Sequence, residues 1–271
     1  MYEPTKYFLQ NIGIGDLTFF CGSVLLQKTK GDTIMIKISE SILNNFRNGS
    51  EKYQKFCIDY ITYILSDYNV IHIPNNEKTS LDWSINYDIY DRIINEEYTI
   101  EHFRKKFTSN KNDRYKNSVV IVTKIRDLNF DLYKNISNQF FNLLNKMNSE
   151  IILLGEREVL YEGEYFHHGK EKIYSIYSDL KKNLNHTKIL DLTEKTYDTN
   201  NISLENILKD LNIIYNSKLV VVLGGGGFFC TSIFKENFLS LTDNEIVKYY
   251  NQRKNKNIYD DFNKFFEKLI N

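Results

Sequence analysis

Apolar residues recur along the chain at two alternating spacings, and those spacings predict its elements. Residues 7–9 read as a short first strand and 17–27 as a helix, while Thr33-Ile34-Met35-Ile36-Lys37-Ile38 alternates as a half-buried strand does. Residues 51–65 carry Tyr53, Phe56, Ile58, Tyr60, Ile61 and Ile64 at helical spacing, and 70–73 form another strand, stopped by Pro74. The order so far is β/α/β/α/β.

A polar, basic stretch over 104–116, with Lys105, Lys106, Lys111 and Arg114, breaks the periodicity and is the expected linker. Beyond it, strands are predicted over 118–123, 150–154, 188–192 and 218–223, with helices over 136–147, 170–184 and 204–215. The run Val119-Val120-Ile121-Val122 suits a strand covered on both faces, as in the parallel sheet of an α/β layer. From Asn244 onward the chain reads as a helical tail, with Phe262, Phe265, Phe266 and Leu269 on one face. The expected fold class is therefore α/β. Two Rossmann-like domains, 1–112 and 113–271, would face a central cleft and end in a C-terminal helix.

Composition narrows the function. Thirty-five basic residues balance thirty-five acidic ones in 271 residues, so no whole-molecule field favours nucleic acid or an anionic membrane. Cys21, Cys57 and Cys230 lie far apart without the spacing of a zinc site, which suits a reducing compartment. The start, Met1-Tyr2-Glu3-Pro4, shows no signal-peptide pattern, and apolar runs fall well short of the ~20 residues a membrane span needs. A cytoplasmic protein with no transmembrane segment is expected. Oligomeric state leaves no mark in the sequence.

Open parallel sheets bind ligands beyond the carboxyl ends of their strands, and chemically rich residues follow the predicted strands. Gly13-Ile14-Gly15-Asp16 follows the first. Lys124 and Arg126 follow the strand ending at Thr123, and Glu156 and Arg157 follow the one ending at Leu154. Gly224, Gly225, Gly226 and Gly227 follow the last. Glycine amides can wrap an anion at a helix start, or simply make a tight turn. Lys124, Arg126 and Arg157 are candidate cations for a diphosphate, and Glu156 can accept hydrogen bonds from sugar hydroxyls. Asp16 is either a first-turn acid that serves its helix or a base. His167-His168 lacks metal-ligand spacing, Asp88 and Asp91 sit as helix neighbours rather than in a strand-end DxD motif, and no metal or other cofactor is expected.

On these residues the chain resembles the two-domain GT-B glycosyltransferases, and in particular their heptosyltransferase-like branch. The resemblance rests on Gly15-Asp16 within Asn11-Ile12-Gly13-Ile14-Gly15-Asp16-Leu17; the second half also looks like a separate group of glycosyltransferase-like proteins, through Leu154-Gly155-Glu156-Arg157-Glu158 and Ile173-Tyr174-Ser175-Ile176-Tyr177. The family's Asp-Thr-Gly and following His are replaced here by Gly224–Gly227 and Phe228-Phe229-Cys230. The resemblance implies an acceptor-side first domain with Asp16 as general base, its loop formed with Gly13 and Gly15. The second domain would hold a nucleotide-sugar donor at Lys124, Arg126, Glu156, Arg157 and the four glycines. Metal-independent, inverting transfer to a glycan, lipid-linked or protein acceptor is then expected. A non-catalytic nucleotide-sugar or glycan-binding module and a sugar-nucleotide epimerase are the alternatives.

Overall fold

A computed structural model describes residues 4–9, 12–39, 51–74, 82–83, 87–108, 113–158, 173–185, 188–194, 202–223, 227–241, 258–259 and 267. The chain is α/β, with parallel sheets of Rossmann-like order. It groups into two compact units, 1–107 with 198–209 and 108–197 with 210–271. The sequence placed its boundary after residue 112 and did not assign 198–209 to the first unit.

In the first unit, β1 (Thr5–Leu9), β2 (Thr33–Ile38), β3 (Asn69–His72) and β4 (Asp82–Trp83) form a parallel sheet in the order β3-β2-β1-β4. Ile34, Ile36 and Ile38 are buried while the residues between them are only half-buried, as the alternation required. Helix α1 (Ile14–Gln27) follows β1, and everything from Leu17 to Leu25 in it is buried, so it is packed on more than one side. Helix α2 (Glu51–Ile64) buries Tyr53, Phe56, Cys57, Tyr60, Ile61 and Ile64, a single stripe at steps of three and four.

Two further helices lie in this unit, of which only the helical spacing of Asp88 and Asp91 was read from the sequence. They are α3 (Tyr87–Asn95) and α4 (Glu97–Phe107). The start of the expected linker is thus the last turn of α4, where Arg104, Lys105 and Lys106 complement the negative helix end. Thr99, Phe103 and Phe107 face inward at i, i+4 and i+8, with the two rings stacked 5.8 Å apart. The 3₁₀ turn Asp113–Tyr115 follows.

The second unit is built on β5 (Ser118–Val122), which is buried along its whole length. Around it run β7 (Glu150–Leu154), β9 (Ile189–Asp191), β10 (Leu219–Val222), β11 (Phe238–Leu241) and β12 (Ile258–Tyr259), all parallel, in the order β12-β11-β10-β5-β7-β9. A separate antiparallel pair joins β6 (Lys124–Arg126) to β8 (Ile173–Ser175). Counting the six parallel strands along the chain, the order is 3-2-1-4-5-6, the doubly wound Rossmann arrangement.

One sheet face, with Val119, Ile121, Ile151, Leu153 and Val221, packs on Tyr133, Phe140, Phe141 and Leu144 of α5 (Asp127–Lys146) and on Leu180 of α6 (Tyr177–Asn183). Each such aliphatic side chain stabilises the fold by about 1.5–3 kcal/mol on burial. In sequence, the division at residues 209 and 210 falls within helix α7 (Leu204–Asn216), and α8 (Gly227–Ser232) is a short helix.

Two expectations are corrected. The helix predicted over 170–184 is β8 followed by the shorter α6, because Ile173–Ser175 pairs with Lys124–Arg126. Within the expected helical tail, Ile258 and Tyr259 are a strand on β11, and Glu267 is helical. Phe262, Phe265, Phe266 and Leu269 lie outside the described residues. Among the described residues, no helix is long and apolar enough to cross a membrane.

Gly22 on α1 lets α3 approach, since a Cβ there would stand 2.6 Å from Ile93 Cγ2. Gly22→Ala is expected to cost about 1–3 kcal/mol of stability by overpacking, despite the better helix propensity of alanine. Urea denaturation should also show that Gly22→Ala and Ile93→Ala together cost less than the sum of the two.

Candidate functional site

In the first unit, Ile12 and Gly13 immediately precede α1. Gly13 is the N-cap residue, with φ −64° and ψ 153°, and its carbonyl accepts the first helical hydrogen bond from Leu17 N at 2.9 Å. Asp16 lies in the first turn with its carboxylate folded back, Oδ2 standing 2.9 Å from where a Cβ on Gly13 would be. Gly13 thus accommodates the close approach of the Asp16 carboxylate rather than an unusual φ. The position of Asp16 is that of the acid in a capping box, and its charge also favours the positive helix end. Gly15 is buried in the same turn.

Helix α2 fixes this loop. Tyr53 OH donates to Ile12 O at 2.9 Å, and Cys57 Sγ approaches the same carbonyl at 4.0 Å. Thr18 Oγ1 donates to Ile14 O at 2.7 Å and pairs with Tyr60 OH at 2.8 Å. Residues at i, i+4 and i+7 of one helix thus hold the strand-to-helix connection. The sequence reading placed Tyr53 and Tyr60 in an apolar stripe and missed this role; the signal available was that a buried tyrosine hydroxyl requires a partner.

In the second unit the strand order reverses between β5 and β10, where an open sheet of this kind takes its ligand. Thr123, just past β5, is fully buried; its N–H donates to Leu154 O at 2.9 Å and its hydroxyl to Glu156 O at 2.7 Å. Ser175 Oγ donates to the same Glu156 carbonyl at 2.6 Å. Between them Gly155 takes φ +112°, and a Cβ on it would meet Thr123 Oγ1 at 2.8 Å.

Lys124 and Glu156 are brought together as an ion pair, Nζ to Oε2 3.4 Å, with side chains 28% and 7% exposed. Arg157 sits one residue further on. Its Nε donates to Thr193 Oγ1 at 2.9 Å, Nη2 lies 3.9 Å from Asp191 Oδ1, and its guanidinium covers the Tyr177 ring at 5.4 Å. Asp191, at the end of β9, also accepts from Tyr177 OH at 2.8 Å and from the Thr193 hydroxyl and N–H, with Lys181 Nζ 3.7 Å away. Partial burial would raise the Asp191 carboxyl, but the Thr193 and Tyr177 hydrogen bonds and the nearby Arg157 outweigh it and hold the group below its ordinary value. Desolvation and the bond to Asp191 raise the Tyr177 phenol. Behind this cluster, burial and a 2.9 Å bond to Asp179 push Tyr133 up as well.

Of the other predicted residues, Arg126 is on β6 rather than in a loop, and Gly227 opens α8. Gly224, Gly225 and Gly226 lie outside the described residues, as do His167 and His168. Asp191, Thr193 and Lys181 were missed, because no motif flags them. Among the described residues no group of three or more His, Cys, Asp or Glu side chains is placed to hold a metal.

Gly155→Ala is expected to lose about 1–3 kcal/mol, from its positive φ and the Thr123 clash, when measured by chemical denaturation. Because the folded-state Asp191 value is depressed, its contribution is fully present above the unfolded carboxylate value of about 3.9 and lost as pH falls through the folded value. The stability difference between wild type and Asp191→Asn should therefore stay level from about pH 8 to 5 and shrink below about pH 4. Compared with protein-family models, curated proteins and solved structures, the chain matches none at a significant level.

Proposed function

We propose that the protein is a metal-independent, inverting glycosyltransferase of the cytoplasm. It would move a sugar from a nucleotide-sugar donor to a hydroxyl of a glycan, lipid-linked or protein acceptor. In this reading the two units are the acceptor-side and donor-side domains of a GT-B-like enzyme. The observation that carries it is the 3-2-1-4-5-6 strand order of the second unit, whose reversal point is followed in the chain by Lys124 on one side and Gly224–Gly227 on the other.

The chemistry assigns each part a task. A sugar hydroxyl is a weak nucleophile at neutral pH, so Asp16 takes its proton as the oxygen attacks the anomeric carbon. The bond from that carbon to the diphosphate oxygen breaks with its electron pair, and a nucleoside diphosphate leaves. Lys124, Arg126 and the glycine amides offset the charge that develops on it, while Glu156 and Arg157 belong to the rest of the donor. Positive charge supplied by the chain itself is the reason for expecting no metal requirement.

A non-catalytic nucleotide-sugar-binding module is the second reading, favoured by one observation: the Asp16 carboxylate is folded over Gly13, where it serves the start of α1.

A thermal-shift screen of UDP-, GDP- and ADP-sugars identifies the donor, since a ligand of the folded state raises its apparent stability. Nucleoside diphosphate should then be released only when an acceptor is added. Asp16→Asn should lower that release by about 10²–10⁴-fold and leave the donor-induced shift nearly unchanged. Unimpaired release by Asp16→Asn removes Asp16 from the mechanism. Donor conversion without acceptor indicates an epimerase, and binding without either reaction indicates the module.

A further inference from the structure

The guanidinium of Arg157 is held in a way that suits a flat ligand better than a phosphate. Its Nε is committed to Thr193 Oγ1 at 2.9 Å and its Nη2 side faces the Asp191 carboxylate at 3.9 Å. That Nε–Nη2 edge is one of the two that a phosphate can take as a two-pronged fork, and it is the edge already engaged. A phosphate there would displace Thr193 and meet a like charge on Asp191. The rest of the group is placed differently. Its Cζ lies over the Tyr177 ring, 5.4 Å from the centroid, and the Arg157 side chain is 44% exposed.

The residues that fix this plane come from separate segments: Arg157 follows β7, Tyr177 begins α6, and Asp191 and Thr193 end and follow β9. Thr193 Oγ1 accepts from Arg157 and donates to Asp191, and Tyr177 OH donates to the other Asp191 oxygen. Thus one half-exposed side chain is held by an oriented hydrogen-bond relay, which an ordinary surface ion pair lacks.

Its place along the sheet edge adds a second argument. Lys124 follows β5, and Arg157 follows the adjacent β7 but reaches Thr193 and Asp191 at the end of β9, the next strand in the sheet. The two strand spacings from β5 to β9 amount to about 10 Å, a distance comparable to that from the phosphates of a nucleotide to its base.

We propose that Arg157, seated over the Tyr177 ring and oriented by Asp191 and Thr193, is the platform for the nucleobase of a nucleoside diphosphate whose phosphates lie toward Lys124. This rests on the donor reading above and assigns Arg157 to the base rather than to the diphosphate.

Calorimetric titration of the full chain with UDP, ADP, GDP, CDP and inorganic pyrophosphate tests it. Wild type should bind at least one nucleoside diphosphate about 10-fold more tightly than pyrophosphate, the scale of one base stacked on a planar side chain. Arg157→Lys should bring that nucleotide to the pyrophosphate level and leave pyrophosphate itself within about twofold, which also reports that the variant is folded. Tyr177→Leu should act likewise, whereas Tyr177→Phe should keep most of the preference. Equal weakening of nucleotide and pyrophosphate by Arg157→Lys, no effect of either Arg157→Lys or Tyr177→Leu, or no wild-type preference over pyrophosphate overturns the platform alone. Failure of wild type to bind any nucleoside diphosphate overturns the donor reading and the platform with it.

Discussion

The carbonyl of Glu156 accepts hydroxyl hydrogen bonds from both Thr123 and Ser175, and the carboxyl edge of the second sheet is organised around that one acceptor. Glu156 bridges to Glu194 through its neighbours: Arg157 N donates to Glu194 O and Glu194 N to Gly155 O. Its own carbonyl takes no part in that bridge and lies within reach of Thr123, just past the end of β5. A buried carbonyl without a partner would cost about 1–3 kcal/mol. Two hydroxyls meet that demand, one from the residue after β5 and one from β8, and they draw both segments against β7. Gly155 is what lets Thr123 come close enough. The directions of Lys124, Glu156 and Arg157 follow from this junction.

Both units use the strand order 3-2-1-4, yet they deliver positive character at the end of strand one by different means. In the first unit α1 is the element that follows β1, and its start, with the positive end of the helix dipole, carries Gly13 and Asp16. In the second unit β6 intervenes between β5 and α5, displacing the helix start along the antiparallel pair. A helix dipole acts only within about its first turn. The side chain of Lys124 therefore takes the place that a helix start holds in the first unit.

What was legible in the sequence was what burial dictates. The Val119–Val122 run suited a strand covered on both faces, and the stripe from Tyr53 to Ile64 had the spacing of an amphipathic helix. The early part of α5 was not legible, because Leu128, Phe130 and Leu132 alternate at period two and read as neither helix nor loop. β8 was hidden because three residues carry too little periodicity to resist the helical pattern around them. At the candidate site the sequence could supply residue types after strand ends but not their partners. Arg157 looked like any cation at a strand end, and only the tertiary placement of Thr193, Asp191 and Tyr177 shows which of its edges is already used.

The balanced net charge of the chain has a local counterpart at this edge. Lys124 is opposed by Glu156, and Arg157 and Lys181 by Asp191, so the edge presents oriented charges rather than a bare positive field. Partly exposed pairs of this kind contribute only about 0–1 kcal/mol each to stability. Their larger effect is on order. A free lysine or arginine side chain gives up as much as about 2 kcal/mol of rotamer entropy when a ligand fixes it. Here the built-in carboxylates and the Thr193 relay have already restricted those side chains in the folded chain. An incoming anion or planar group would then gain affinity from preorganisation more than from attraction at a distance, and such binding depends weakly on salt.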